Sequence, residues 1–445
     1  MRGVILAAGE GRRIRHLWEG PKALLPILGL PLIRRAVLSL KSAGVEEIFV
    51  VVGYQGERIK EALFPDPAVR FIDNPQWDKG NGTSLLSAKD LLCKDERFLV
   101  VMADHIFDPA ILKGLIDGAR EEADYLMTDS RLDGVNDLEE ATKVCIDDEG
   151  RIWDLGREIK IFNGVDCGIL LLTPVVFMAL EEAQSLGGYC LSDALKLLAR
   201  RGRLLSLPVN SYWQDVDTPA DLKRAEAKLL RGLPRGGDGI ISKFLNRPLS
   251  LLITRAIARL PIGPNLVSFL SLLLALAAGL LFSLKMGLLA GVMAQLTSII
   301  DGVDGELARV KFLSSPYGAL FDALLDRYGD ALIILGMAYY VYSHSPGPLV
   351  LFSSLLALGG APMSMLIKEK FQNSFERPYP AQYDSFTRYL LAGRDGRLFV
   401  IMVGGITGQV VYALLFIALT CHIQAIYRLA VLRRIRKICY HSGAN

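Results

Sequence analysis

From residue 266 onward the chain is built of apolar runs long enough to cross a bilayer, and carboxylates interrupt them. Leu266 to Leu284 is one such run, and about 20 apolar residues suffice to span the hydrocarbon. Gly287 to Ile300 continues into Asp301-Gly-Val-Asp304-Gly305-Glu-Leu-Ala308-Arg309. Tyr317 to Tyr342 includes Gly318 and carries Asp322 and Asp326 near its start. Carboxylates at membrane depth are costly, so they read as functional. Asp301 and Asp304 are three apart, and Asp322 and Asp326 four apart. On helices each pair shares one face. Two such helices side by side aim four oxygen ligands at one point, which is what a hard divalent cation needs.

At 445 residues two or three domains are expected. Hydrophobic residues are 51% of the whole, although the first half looks soluble, so the excess belongs to a membrane portion. A net charge of +3 gives no electrostatic case for nucleic acid. Six cysteines are scattered without metal-ligand spacing and read as reduced thiols of a cytoplasmic protein. Met1-Arg2 leads directly into a strand, so no signal peptide is expected.

In the first half, Val4 to Ala8 reads as a buried strand opening into Gly9-Glu10-Gly11-Arg12-Arg13. Such glycines let the backbone approach a phosphate, and arginines supply charge. Pro21-Lys22-Ala-Leu-Leu-Pro26 follows, then Gly29-Leu-Pro31 and an amphipathic helix from about Ile33 to Ser42. Strands at Ile48–Val52, Phe71–Asn74 and Phe98–Met102 alternate with helical stretches. That alternation implies a mostly parallel sheet with ligands at the strand carboxyl ends, where Asp104 stands. Ser84 is placed to cap a helix over Leu85–Leu92. Alternation puts Asp215 and Asp217 on one strand face, and Thr218-Pro219 starts the last helix of this half.

Taken together, L-A-A-G-x-G-x-R, P-K-x-L-x-P and G-x-P-L resemble the nucleotidyltransferases that make nucleotide sugars and CDP-alcohols. The resemblance implies an α/β, Rossmann-like domain over residues 1–230. It implies that Leu6, Ala8, Gly9, Gly11, Arg13 and Lys22 hold the nucleoside triphosphate, Arg13 and Lys22 taking part in catalysis. Gly80, Asn81 and Ser84 would read the base. Asp104 would bind the magnesium on the triphosphate, with Asp215 or Asp217 completing that site. Lys143 is implied as a phosphate contact and Asp166 as a hydroxyl acceptor, although either could be an ordinary surface charge.

The spacing D-x2-D-G-x2-A-R-x8-G-x3-D-x3-D, from Asp301 to Asp326, resembles the signature of the CDP-alcohol phosphotransferases. That resemblance implies two divalent metals, magnesium or alternatively manganese, with Asp301, Asp304, Asp322 and Asp326 as ligands. Asp326 would also be the base for the acceptor hydroxyl, and CMP the leaving group. Gly305, Ala308, Arg309 and Gly318 would contact the nucleotide.

Residues 231–262 form a basic linker and an amphipathic segment, with Lys243, Arg247, Arg255 and Arg259 among Phe, Leu and Ile, suited to a membrane surface. Residues 263–445 are expected as an all-α domain of six spans, the fifth beginning near Phe386. Lys and Arg are concentrated in loops that would share one side, so both termini are expected in the cytoplasm at the cell membrane. Arg388, Arg394 and Arg397 are candidates for the acceptor phosphate or for lipid headgroups, unless they merely snorkel.

The fusion of the two activities resembles the bifunctional enzymes of di-myo-inositol phosphate biosynthesis. It implies CTP and inositol-1-phosphate as substrates, CDP-inositol as intermediate, contact with membrane lipid and a homodimer through the spans. Phospholipid synthesis from a CDP-lipid donor is the alternative. A degenerate nucleotide sensor is a third reading, which the intact Gly9, Gly11, Arg13, Lys22 and Asp104 oppose.

Overall fold

The computed structural model describes residues 1–120, 123–132, 138–233, 239–376, 379–384 and 387–442. Residues 234–238 of the expected linker therefore lie outside the described residues. The chain divides into two compact units, Met1–Gly232 and Leu233–Asn445.

In the first unit, seven strands run in the order Ile152–Gly156, Lys143–Ile146, Gly164–Leu172, Phe98–Met102, Arg2–Ala7, Glu47–Val52 and Val69–Asp73. Asp124–Asp129 joins them on Gly164–Leu172 and is itself paired by Leu204–Pro208. The four strands from Phe98–Met102 to Val69–Asp73 are mutually parallel. Gly164–Leu172 runs antiparallel to its partners. Side chains alternate across this sheet. Ile5, Ala7, Val50 and Val52 face a layer that includes Ile33, Ala36, Val37 and Leu40 of the Leu32–Ser42 helix. Val4, Leu6, Phe49 and Val51 face the opposite layer, with Phe177 of the Val175–Ser185 helix and Leu195 of the Leu191–Arg200 helix. Burial on both faces is why these strands read as unbroken apolar runs.

The Arg2–Ala7 and Phe98–Met102 strands end side by side, and the Ala103 amide donates to the Leu6 carbonyl at 3.1 Å. This brings the Gly9–Gly11 loop and Asp104 to one edge of the sheet, where an open α/β sheet places its ligands. Thr218 caps the Pro219–Arg231 helix as expected, and Asp221 returns the bond to the Thr218 amide. The cap expected at Ser84 does not form. The chain is helical over Asn81–Leu86 and again over Lys89–Leu92. Ser84 lies buried inside the first of these helices, its hydroxyl accepting from Asn74 Nδ2 at 3.0 Å.

In the second unit the Arg247–Ile257 helix precedes Pro264–Ser283, Gly287–Val310, Pro316–His344, Pro348–Phe375, Arg394–Thr407 and Val410–Ser442. Among the described residues, three segments are long and apolar enough to cross a membrane: Pro264–Ser283, Pro348–Phe375 and Val410–Arg433. The expected count of six spans is not reproduced by that measure. Arg394–Thr407 has 14 residues. At 1.5 Å per residue it covers about 21 Å, short of a hydrocarbon layer of about 30 Å. The expected start of the fifth span near Phe386 lies outside the described residues. Arg394 and Arg397 belong to the first turn of the Arg394–Thr407 helix.

Packing in this unit is inverted relative to a soluble bundle. Leu266, Leu270, Leu273 and Leu280 point outward, whereas Ala275, Ala278 and Gly279 are buried. Lipid supplies no hydrophobic drive between helices, so small residues that allow close approach line the contacts. A Cβ on Gly336 would collide with the Gly279 backbone, and one on Gly291 would lie 2.8 Å from the Met402 carbonyl.

The Arg247–Ile257 helix is amphipathic, with Leu249 and Leu252 exposed. Arg247, expected at the membrane surface, instead turns inward. Its Nη1 lies 2.7 Å from Glu306 Oε1, which also accepts from Ser250 Oγ at 2.7 Å, while Thr254 Oγ1 donates to Oε2 at 2.7 Å. Glu306 is fully buried. Removing one partner of a buried, hydrogen-bonded charge pair costs about 3–5 kcal/mol. Glu306→Ala is therefore expected to lower the thermal unfolding midpoint of the detergent-solubilised protein by several degrees, and an unchanged midpoint would refute this account of the clamp.

Two candidate active sites

In the first unit the chain leaves the Arg2–Ala7 strand through a turn at Gly11, whose φ is 69°. Glycine adopts this left-handed conformation without steric cost, and a Cβ here would collide with the Lys22 side chain. Lys22 thus lies directly beneath the loop. Its Nζ donates to Asp104 Oδ2 at 2.6 Å and to Asp217 Oδ1. Arg13 Nη1 lies 3.4 Å from Asp217 Oδ2, and its Nη2 lies 2.5 Å from Glu140. Burial pulls the Lys22 ammonium down, but the carboxylates of Asp104 and Asp217 outweigh it and the pKa is raised. Burial likewise pushes Asp104 up, yet Lys22 and His105 hold it well below the ordinary carboxylate value. A cavity of about 350 Å³ is lined by Leu6, Gly9, Gly11, Arg13, Lys22, Asp104 and Asp217. Ala8 does not line it. That residue is buried, its carbonyl accepting the Tyr54 amide at 3.0 Å.

The structure separates Asp215 from Asp217. The Trp213–Asp215 strand ends at Asp215, and the Val216 amide donates to the Asp104 carbonyl at 3.1 Å. The chain therefore swings past Asp104 and presents Asp217 to Lys22, so the two carboxylates do not share one strand face. Asp215 accepts from Gln214 Nε2 at 3.0 Å, and burial pushes its pKa up.

A second cavity of about 680 Å³ includes Asn81, Asp104, His105, Asp166, Asp215 and Lys228 in its lining. Asp166 Oδ1 accepts the Gly168 amide at 2.7 Å, and burial raises its pKa. Of the three expected base contacts, only Asn81 lines a cavity of this size. Gly80 packs on the Tyr189 carbonyl, and Ser84 is held by Asn74. Lys143 lines neither cavity. It donates to the Arg157 carbonyl at 2.7 Å and lies over the Phe162 ring, because its strand turns that side chain away. The sequence reading missed His105, whose Nδ1 is 2.8 Å from Asp104 Oδ1 and whose ring stacks on Trp213 at 6.1 Å. Its position directly after the strand-end Asp104 was the available signal.

In the second unit, Gly287–Val310 presents Asp301 and Asp304, and Pro316–His344 presents Asp322 and Asp326. Asp301, Asp322 and Asp326 each offer a carboxylate oxygen, and these oxygens lie within 4.8 Å of one another. Asp304 is turned slightly aside. It accepts from the Ser268 hydroxyl and from the Gly305 amide. A Cβ on Gly305 would lie 3.2 Å from Arg309 Nη1, so the Arg309 side chain folds back over that glycine. Ala308 is half-buried one residue earlier. The Gly318 amide donates at 3.0 Å to Ser315 Oγ, which caps the Pro316–His344 helix. Asp301 Oδ1 is buried without a hydrogen bond. Clustered carboxylate oxygens of this kind fit a hard divalent cation.

Arg394 and Arg397 do not snorkel. Arg394 Nη1 lies 2.6 Å from Asp301, Nη2 lies 2.9 Å from Asp326, and Nε lies 3.2 Å from Asp330. Arg397 Nη2 donates to Asp330 Oδ2 at 2.5 Å, and its Nη1 to the Ala392 carbonyl at 2.9 Å. Asp330 is a fifth carboxylate that the sequence reading missed, although Asp322, Asp326 and Asp330 continue at intervals of four along one helix face. The side chain of Arg388 lies outside the described residues. Nearby in the same unit, Arg428 Nε donates to Asp384 Oδ1 at 2.8 Å, and Lys368 Nζ stands 3.3 Å from Asp384 Oδ2.

A glycine turn over a lysine bonded to two aspartates, and carboxylates gathered between two helices of an apolar unit, fit a transferase with two centres. The chain matches the MobA-like NTP transferase domain over residues 3–142 and the CDP-alcohol phosphatidyltransferase family over residues 262–392. A protein of Rubrobacter xylanophilus named bifunctional IPC transferase and DIPP synthase is 38% identical over 440 residues, 97% of this chain and 96% of its own length. Proteins of the same name from Aquifex aeolicus and Thermococcus kodakarensis are 34% and 32% identical, over 95% and 90% of this chain and 96% and 89% of their own lengths. The chain belongs to this family of bifunctional IPC transferase and DIPP synthases.

The geometry predicts unequal roles for two neighbouring carboxylates. Losing one preorganised electrostatic contact costs about 10²–10³ in rate. Asp217→Asn should reduce nucleotidyl transfer by that order, measured as pyrophosphate release from CTP, whereas Asp215→Asn should cost far less. Equal losses would mean that the Lys22 contact does not distinguish them.

Proposed function

We propose that the first unit makes CDP-inositol from CTP and myo-inositol-1-phosphate. The second unit then transfers inositol phosphate from CDP-inositol to a second inositol-1-phosphate and releases CMP. The observation that carries this reading is the convergence of Asp301, Asp322 and Asp326 within 4.8 Å, in a chain that also keeps an intact Lys22–Asp104–Asp217 site. A CDP-lipid donor would leave that first site without a purpose.

In the first unit, Gly9 and Gly11 offer backbone to the triphosphate, and Lys22 and Arg13 bring positive charge to it. Asp104 and Asp217 would hold magnesium there. Asp166 faces the larger cavity and would accept a hydroxyl of the alcohol phosphate. Pyrophosphate leaves as the alcohol's phosphate oxygen bonds to the α-phosphorus.

In the second unit, Asp301, Asp304, Asp322 and Asp326 would hold magnesium or manganese, which neutralises a diphosphate and eases departure of its leaving oxygen. Asp326 takes the proton of the acceptor hydroxyl as that oxygen attacks the phosphorus, and the bond to CMP breaks. The Gly305–Arg309 turn and Gly318 lie on the two helices that frame this space and would meet the cytidine half. Arg394 and Arg397, with the Lys368–Arg428 pair around Asp384, would supply positive charge for the acceptor's phosphate. The unit lies in the cell membrane with several crossings, contacts lipid, keeps both termini in the cytoplasm and forms a homodimer through its helices.

Two measurements test this reading. Mass spectrometry of products formed from CTP and a panel of alcohol phosphates in a detergent extract should show CDP-inositol and a phosphorylated di-inositol diester. A CDP-alcohol formed only from some other alcohol phosphate would reject the inositol assignment. Asp326→Asn should abolish CMP release while CTP is still consumed, because the sites are separate. A variant that releases CMP at the normal rate would remove Asp326 from the role of base.

A further inference from the structure

The carboxylates of the second site are neutralised by a side chain of the protein itself. Arg394 is placed by the first turn of the Arg394–Thr407 helix, and one guanidinium reaches three carboxylates on two other helices: Asp301, Asp326 and Asp330. Two of these, Asp301 and Asp326, belong to the group whose oxygens lie within 4.8 Å of one another. The guanidinium therefore occupies part of the shell that a divalent ion would claim. Nη1 and Asp301 Oδ1 approach to 2.6 Å as an ion pair. At Asp330, Arg394 Nε makes a hydrogen bond at 3.2 Å. Asp330 is itself anchored by Arg397 at 2.5 Å and lies 3.6 Å from Arg327. The Nε side of the guanidinium thus meets a carboxylate outside the 4.8 Å group, while its two Nη groups meet carboxylates inside it.

We propose that Arg394 is an exchangeable counter-cation of this site. Without a bound divalent ion it bridges Asp301 and Asp326 and keeps the half-buried carboxylates from repelling one another. When an ion binds, Arg394 yields those oxygens and stays hydrogen-bonded to Asp330, which acts as its mooring. Arg394 and Asp330 are then positioning residues that set how tightly the site takes its metal. The inference rests on the reading of Asp301, Asp322 and Asp326 as metal ligands. A guanidinium suits the task, since it stays charged under all working conditions and its planar fork can hold one carboxylate while releasing another.

The test uses the full-length protein in detergent, with Mn²⁺ as the probe and binding read by electron paramagnetic resonance. Removing a positive charge that competes for the same oxygens strengthens attraction for a dication. Arg394→Gln should bind Mn²⁺ about tenfold more tightly or better. It should also unfold at a lower temperature than wild type in EDTA and regain that difference when Mn²⁺ is added. Asp330→Asn removes the mooring and leaves Arg394 wholly on Asp301 and Asp326, so it should bind Mn²⁺ more weakly. Opposite shifts from the two variants are a signature that damage to the fold does not produce. Affinities that are unchanged, or that fall in both variants, would overturn the proposal. Asp322→Asn, which removes a ligand outside the reach of Arg394, serves as the control. If wild type and Asp322→Asn bind Mn²⁺ equally, or neither binds it, the metal reading itself fails.

Discussion

Carboxylates gathered in a space poor in water repel one another and resist burial, so whatever neutralises them decides the structure around them. Two unit charges 4 Å apart interact by about 4 kcal/mol even at an effective dielectric of 20. Asp301, Asp322 and Asp326 are held closer than any exposed surface would require. The second unit can afford this arrangement only because cations are built into it: Arg394 on Asp301 and Asp326, and Arg397 with Arg327 on Asp330. Two further acidic groups of this unit follow the same rule. Glu306 is met by Arg247, and Asp384 by Arg428 and Lys368.

The first unit solves the same problem on an unrelated fold. Asp104 and Asp217 face one another at the carboxyl edge of a parallel sheet, and Lys22 stands between them. In each centre a basic side chain holds two acidic groups apart at the spacing that a nucleotide-bound cation would later exploit. The difference lies in the cation. Lys22 is a compact ammonium buried beneath a glycine turn and bonded to both aspartates. Arg394 is a fork with one prong moored on Asp330. A centre that handles soluble nucleotide and one buried among apolar helices thus use the two basic residues according to their geometry.

Much of this was legible in the sequence, and what was not has identifiable causes. The aspartate helices were readable because spacings of three and four impose one face whatever the surroundings. The strands of the first unit were readable because burial on both faces leaves a continuous apolar run. Asp217 could not be told from Asp215, because strand alternation was assumed to continue past a strand that ends at Asp215. Ser84 looked like a cap because serine favours helix starts, but Asn74 claimed its hydroxyl. The direction of Lys143 depended on where Phe162 and the Arg157 carbonyl would fall, which only tertiary structure decides. Arg247 read as a membrane-surface charge and Arg394 as a phosphate or headgroup contact, because their partners, Glu306 and Asp301, lie 59 and 93 residues away in the chain. Asp330 lay just beyond the recognised spacing and was passed over, although the interval of four continues through it.

Charge alone does not bring these groups together: helix axes ordinarily stand about 8–10 Å apart, a distance set by the side chains at the contact. The second unit closes that distance with glycine. Gly336 meets the backbone of Gly279, pressing the Pro316–His344 helix against Pro264–Ser283, and Ser268 of that helix in turn binds Asp304. Gly291 packs on the backbone at Met402 and Gly405, drawing Gly287–Val310 against the helix that carries Arg394. These contacts stand ten residues along their helices from Asp301 and Asp326, and they set how near the helices that carry the charged groups lie. In lipid, where apolar side chains gain nothing by leaving one another's company, such contacts are what fix one helix against the next. The spacing of the carboxylates is thus inherited from glycines remote from the chemistry. A side chain added at Gly336 or Gly291 would loosen the aspartate cluster without touching it.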